Sequence, residues 1–203
     1  MDSGYVDSAL GAVVLLITFI VVFIFAAAGY IITSIFLMKI FDKAGVQGRW
    51  RAWVPIYNAM IFLKLGDLNP WLLLIGAGAS AVLAWVPVIG PLIGAASLVL
   101  MAVAAWRVGL KLQKDAVWVI LYVFLSIVWL GIAAFDRSRW NPQIVPAPWA
   151  SNGFLADRTV WDGVPVQVAA ASPAPGYGAP QGYGAPTGPG GAPAYGAPPA
   201  YGA

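Results

Sequence analysis

The feature that most constrains this chain is a run of thirty residues without a single charge, from Ala9 to Met38. An α-helix of that length is about 45 Å long, at 1.5 Å per residue. About 20 apolar residues are enough to cross the hydrocarbon core of a bilayer, which is about 30 Å thick. We therefore predict a first membrane helix over residues 9–41, with Gly45 in the left-handed conformation that closes a helix.

The composition of the whole chain also favours lipid over water as its solvent. Of its 203 residues, 61% are apolar and 9% are charged, whereas a soluble domain is about 45–50% apolar and about 25% charged. Three further apolar runs predict helices over 70–86, 91–112 and 116–135. Asn69 and Pro70 supply an N-cap and a first-turn proline for the second helix. The predicted fold is an all-α membrane protein with about four transmembrane helices in residues 1–135.

Residues 46–66 form a mixed segment between the first two helices. Its apolar stretch is too short to cross a bilayer, and its arginines alternate with aromatic residues. This pattern favours an interfacial segment, with rings at headgroup depth and basic heads in water; an ordinary polar loop is the alternative. The basic residues that end the third helix have the same character. The predicted lipid-anchoring residues are Arg49, Trp50, Arg51, Trp53, Tyr57, Arg107, Lys111 and Lys114.

Small residues recur every four positions in the second helix, at Gly76, Ser80 and Ala84. Such spacing lets membrane helices approach each other closely. It predicts close packing of this face, against a protein partner or a second copy of the chain. Membrane lipids are the other expected partner.

The composition changes after Phe135. Residues 136–171 mix charged residues, tryptophans and prolines, and we predict a juxtamembrane linker there. Residues 172–203 are nearly all Gly, Ala, Pro and Tyr. Such a segment cannot bury enough apolar surface to offset its ordering entropy, so a disordered tail is expected. Its repeated Tyr-Gly-Ala units act either as weak stickers, for self-association or for an aromatic-binding partner, or as a plain spacer.

Basic residues predict the orientation. The 39–69 loop holds five Lys and Arg, and the 107–115 stretch holds three. The positive-inside rule places such loops in the cytoplasm. With four crossings, the N-terminus and the tail then lie outside. If one run fails to cross, the tail moves to the cytoplasmic side.

The chain has neither Cys nor His, and its acids are all Asp. Disulfides and thiolate metal sites are thereby excluded, and the commonest general base and metal ligand are missing. No cofactor, metal site or nucleic-acid surface is predicted. The predicted membrane runs also lack the ionisable groups that coupled carriers use. We expect a non-enzymatic accessory or scaffold protein; the alternative is a small-molecule transporter or channel subunit that acts as an oligomer.

One block of sequence carries a resemblance. Lys43-Ala-Gly45, Trp50, Val54-Pro-Ile-Tyr-Asn58, Leu63-Lys64 and Pro70-Trp71 together resemble a family of small bacterial multi-pass membrane proteins with a domain of unknown function. Some members are joined to, or named with, signal peptidase I. The resemblance covers about residues 37–135. The turn at 86–91 lacks the family's Asn, and the last helix lacks its Gly-rich start.

The resemblance implies a bacterial inner membrane and the multi-pass architecture, but no activity. It also marks five family-motif residues: Lys43, Gly45, Pro55, Tyr57 and Asn58.

Overall fold

The computed structural model describes residues 3–167, with side chains from residue 8 onward except residue 9. The predicted all-α membrane fold is confirmed; the tail at 172–203 lies outside the described residues. Within them, β-structure is limited to two isolated bridges. The elements are α1 (Ser3–Ala44), a 3-10 turn (Arg49–Trp53), α2 (Tyr57–Leu65), α3 (Trp71–Leu83), α4 (Ile89–Lys111) and α5 (Trp118–Phe135). By length and composition alone, α1, α4 and α5 are long and apolar enough to span a membrane, whereas α3 is apolar but shorter.

Helix α1 stands apart from the other helices over much of its length. Its large apolar side chains are exposed on every side from Leu10 to Ile32, and burial begins only at Ser34. A helix that is apolar all round requires an apolar solvent. The first part of α1 is therefore a lipid-facing membrane helix, and its last turns belong to the protein core.

Three helices end in the same backbone motif. One of the first two residues after the helix takes a positive φ: Gly45 (79°), Asp67 (62°) and Gln113 (60°). In each case this residue donates to the carbonyl three positions earlier, and the next residue donates to the carbonyl five positions earlier. These are Schellman motifs. The prediction for Gly45 is confirmed, whereas no sequence pattern predicts the left-handed conformation at Asp67 and Gln113.

Helices α3 and α4 form a tight hairpin. The side chain of Asn69 accepts a hydrogen bond from the Trp71 amide at 3.1 Å, which caps α3. A Cβ added at Gly76 would lie 3.0 Å from Ser97 Oγ on α4. The close approach predicted from the small residues of α3 therefore occurs within the chain at Gly76.

Helix α5 folds back on itself. Leu125 has non-helical torsions (φ −140°, ψ 60°) and divides the helix in two. A straight helix of 18 residues would be about 27 Å long. Yet Lys114, which precedes α5, contacts the carboxylate of Asp136, which follows it. Tyr122 and Trp129 meet edge to face with their centroids 5.3 Å apart. Both ends of α5 therefore lie at the same face of the protein.

Residues 136–167, the cap segment, return across the ends of the helices. Ala147, Ala156, Asp157 and Val164 are buried there, and Asn69 N donates to Leu155 O at 2.8 Å. The segment predicted as a linker is folded against residues 43–69 and 107–114. Because α5 turns at Leu125, residues 136–167 lie on the same face of the protein as the 39–69 loop.

Candidate functional site: a buried polar cluster

A cluster of charged side chains lies where the cap segment meets the ends of α2 and α4. Water is largely excluded: Lys64 and Lys111 have no exposed surface, and Asp67, Arg107 and Asp157 have 3% or less. Burying charges at this depth is costly unless they are paired and hydrogen-bonded. The pairing therefore explains why the cluster is stable. We call these five residues and Gln167 the polar cluster.

Asp67 connects α2 to α4. Its carboxylate accepts from Lys111 Nζ at 2.5 Å and from Arg107 Nε at 2.8 Å. Its backbone oxygen accepts from the indole N–H of Trp149 at 2.9 Å. The left-handed backbone of Asp67 ends α2 and directs this residue to both neighbours, and Asp is one of the few side chains that tolerate that conformation.

Both buried lysines are fully used within the protein. A lysine ammonium has three donors and no acceptor. Lys111 donates to Leu65 O (2.7 Å), to Asp67 and to Gln167 Oε1 (2.8 Å). Lys64 donates to Asp157 Oδ2 (2.6 Å) and to two oxygens of Thr159. Each lysine therefore joins a helix to the cap segment, Lys64 through Asp157 and Thr159 and Lys111 through Gln167.

A second ion cluster joins the last turn of α1 to both ends of α5. Lys43 donates to Ala133 O and Asp136 O at 2.8 and 2.9 Å, and so caps α5. Its ammonium also pairs with the Asp136 carboxylate at 2.7 Å, which Lys114 contacts as well. Partial burial raises the pKa of Asp136, but the hydrogen bonds from Lys114, Lys43 and Ser138 outweigh it and hold that pKa below its ordinary value.

An aromatic stack flanks the polar cluster. Tyr57 stacks between Trp50 and Trp161, with ring centroids 6.1 and 5.5 Å away. Arg51 donates to the Tyr57 hydroxyl at 2.7 Å and to Asp162 O at 2.8 Å. Lys64 lies 5.7 Å from the Trp161 ring centroid. The stack therefore connects the 46–66 segment to the cap segment.

The structure separates the predicted lipid-anchoring residues into two groups. Arg49, Trp50 and Trp53 are exposed beside the membrane helices, and Arg51 and Tyr57 are half-buried next to them. The remaining three residues point inward. Arg107 and Lys111 are buried and paired with Asp67, and Lys114 pairs with Asp136. For Arg107 and Lys111 the lipid-anchoring prediction is wrong, because carboxylates within the protein compensate their charges.

The remaining residues of the motif block shape the 46–66 segment. Asn58 is buried and donates to Ala52 O at 3.1 Å. Tyr57 N donates to Pro55 O at 2.7 Å, which closes a γ-turn around Ile56 (φ 67°, ψ −51°). Such a turn is strained, especially for a β-branched residue. Most of α2 is then buried, so an interfacial location describes only the residues before Tyr57.

Sequence reasoning missed the acidic partners, Asp67, Asp136 and Asp157. One signal was available: Lys64 is the only charged residue of α2, and a buried base requires an acid. The identity of that acid was not readable, since Asp157 is 93 residues away. Among the described residues, no group of three metal-ligating side chains occurs.

No family model, curated protein or solved structure matches this chain. The resemblance of the 43–71 block to the small bacterial multi-pass family therefore stays a prediction. The fold and the cluster define a class by themselves: an all-α membrane protein whose helix ends carry a folded cap fixed by buried ion pairs.

Proposed function

We propose that this chain is a non-enzymatic accessory or scaffold protein of the bacterial cell membrane, and that it presents the cap segment to a protein partner. The observation that carries the proposal is the saturation of Lys64 and Lys111 by acceptors within the protein. A lysine whose three donors all bind oxygens of the protein has no donor left for a transported solute or a reacting substrate. Both lysines fix a stretch of chain that has no helix of its own.

The orientation that we propose is cytoplasmic for the 39–69 loop and the cap segment. The positive-inside rule favours it. Under four straight crossings, Arg137 and Arg139 oppose the rule. The fold-back of α5 brings both arginines to the face that carries the other bases, so the opposition disappears. The chain after residue 167 has no further long apolar run, and we propose that the tail lies in the cytoplasm too.

The cap segment offers apolar contacts outside the membrane helices. Val145 is 82% exposed and Phe154 is 58% exposed. Exposed aromatic residues on a rigid support are typical anchors of protein interfaces. We propose that Phe154 belongs to the partner-binding surface.

Photo-crosslinking in membranes tests this proposal. A photoreactive amino acid at Phe154 is expected to give one discrete protein adduct at high yield. The control is Phe124, which is 78% exposed next to the turn of α5 and is expected to give lipid adducts only. Absence of a discrete adduct from Phe154 and from Val145 would overturn the scaffold proposal.

One observation favours the alternative, a small-molecule transporter or channel subunit. A cavity of about 250 Å³ lies between α1, α2, α4 and α5, with Tyr30, Asn58 and Tyr122 in its lining. Two of its polar groups are already engaged, because Tyr30 donates to Trp53 O and Asn58 to Ala52 O. Flux of a small solute in liposomes that contain the purified protein alone would favour transport over scaffolding.

A further inference from the structure

We propose that Arg51 is the phosphate-binding residue of a site for one anionic phospholipid. The site is a groove that runs from the aromatic stack to the first turns of α3. This inference deepens the proposed function, because it assigns a ligand to the edge of the cap segment. It assigns the phosphate to Arg51 rather than to the more exposed Arg49.

The groove has a volume of about 620 Å³, and its lining combines two chemically different sets of residues. Arg51, Tyr57 and Trp161, which contact one another, supply a basic group and aromatic rings. Met60, Trp71 and Leu74 supply apolar surface, and Trp71 and Leu74 belong to α3. Helix α3 continues as an apolar, largely exposed helix. The groove therefore joins a basic group to a surface that lies in the bilayer, which matches a phospholipid with its headgroup and the start of an acyl chain.

Arg51 has donors to spare. An arginine has five N–H donors in a planar fork, and the protein uses one for Tyr57 and one for Asp162 O. Its Nε also has no partner among the described residues, but this atom is buried, so a ligand would bind the remaining N–H groups of Nη1 and Nη2. This differs from Lys64 and Lys111, whose donors are all used. A phosphate oxygen is the kind of acceptor that an arginine fork binds best.

The backbone around Arg51 is built to hold it there. A Cβ added at Gly163 would lie 2.9 Å from Arg51 Nη2, and Gly163 has a φ of 68°. A Cβ added at Gly48 would lie 2.8 Å from Trp50 Nε1. The ring of Trp50 in turn lies 5.3 Å from the Arg51 guanidinium carbon. Two glycines thus leave the space that the guanidinium and its aromatic neighbour occupy.

Asp162 also lines the groove, and its carboxylate is exposed. A carboxylate beside the site opposes an anion, so it lowers the affinity but does not abolish it. Arg49 is a suitable comparison, because its side chain is 70% exposed and pairs with Asp42 at 3.2 Å. It carries the same charge near the same surface but does not line the groove.

The test is lipid binding to the full-length protein, purified in a neutral detergent and stripped of lipid. A short-chain phosphatidylglycerol is titrated while tryptophan fluorescence is recorded. Arg51→Gln is expected to weaken binding at least about fivefold, because it removes the charge-assisted hydrogen bonds from the guanidinium to the phosphate. Arg49→Gln is expected to change it less than twofold. Asp162→Asn is expected to tighten binding, and it keeps the backbone oxygen that positions Arg51.

Equal losses for Arg51→Gln and Arg49→Gln would overturn the proposal in favour of general surface attraction. Inorganic phosphate that competes as well as the lipid would overturn the lipid assignment and leave a simple anion site. If Arg51→Gln lowers the melting temperature, unchanged binding in Asp162→Asn would refute the site by itself. The Phe154 adduct is measured in the same variants, so loss of lipid binding with an intact adduct separates this inference from the scaffold proposal.

Discussion

Asp67→Asn is the sharpest perturbation of the polar cluster. Asn tolerates the left-handed backbone and keeps one acceptor, so the change removes little besides the charge. Arg107 and Lys111 would then face each other in a site where both are almost fully buried. Removing one partner of a buried ion pair costs about 3–5 kcal/mol, because the remaining charge is uncompensated. Because Asn keeps one hydrogen-bond acceptor, we expect the free energy of unfolding to fall by about 3 kcal/mol, the lower end of this range.

Two measurements read this effect on the full-length protein in detergent. The melting temperature reports global stability, and tryptic cleavage after Arg139 and Arg158 reports release of the cap segment. If cleavage follows the population of the opened segment, 3 kcal/mol corresponds to an increase of about a hundredfold. Asp42→Asn is the matched control. It breaks an exposed pair with Arg49, worth at most about 1 kcal/mol.

The reasoning is refuted if Asp67→Asn and Asp42→Asn have the same effect on cleavage. The cap segment would then be held by its apolar contacts, and the polar cluster would be incidental. A fall in melting temperature without faster cleavage would place the effect in α2 and α4 rather than in the cap.

The remaining predictions test the helix packing, the helix ends, the topology and the second ion cluster. Gly66→Ala should cost about 1–3 kcal/mol by overpacking, because its Cβ would lie 2.6 Å from Ala104 Cα. Gly78→Ala should stabilise the protein by about 0.5–1 kcal/mol through helix propensity, because its added Cβ would meet nothing within 4 Å. Equal melting temperatures of Gly66→Ala and Gly78→Ala would contradict this difference in packing. Gln113→Gly should stabilise the folded protein by about 1 kcal/mol, because glycine adopts the φ of 60° without steric strain. A lower melting temperature of this variant would show that contacts of the Gln113 side chain outweigh the backbone strain. Single cysteines at Gln47, Ser151 and Ser172 should react with an impermeant thiol reagent from one side, and a cysteine at Ser3 from the other; opposite sides for Gln47 and Ser151 would mean that α5 crosses. Asp136→Asn should lower the free energy of unfolding near pH 7. Folding holds the pKa of Asp136 below its ordinary value, so this carboxylate stabilises the folded state above its unfolded pKa of about 3.9. That stabilisation is lost as the pH falls further. A difference from the parent protein that grows on acidification would contradict this sign.

The membrane helices can be predicted from the sequence because a bilayer requires uninterrupted runs of about 20 apolar residues, and such runs are visible in the sequence. Gly45 and Asn69 were equally readable, since helix ends use few residue types. The turn at Leu125 was not, because leucine carries no signal for a break and tertiary contacts alone hold the two halves of α5 together. Arg107 and Lys111 resembled lipid anchors for a similar reason. Their partner Asp67 is 40 and 44 residues away, and charge spacing along a sequence does not show such pairs.

The fold-back of α5 also bears on how the chain enters the membrane. Residues 8–38 carry no charge, and neither does the turn between α3 and α4 nor the one within α5. Every charged residue from Lys39 to Asp162 then remains on the side of the bilayer where it is synthesised, in the orientation proposed above. Transfer of a Lys, Arg or Asp through the bilayer centre costs at least about 2.5–3.5 kcal/mol even on insertion scales. From residue 8 to residue 167, assembly of this protein requires no such transfer, and only the segment before residue 8, which contains Asp2 and Asp7, carries charge across the bilayer.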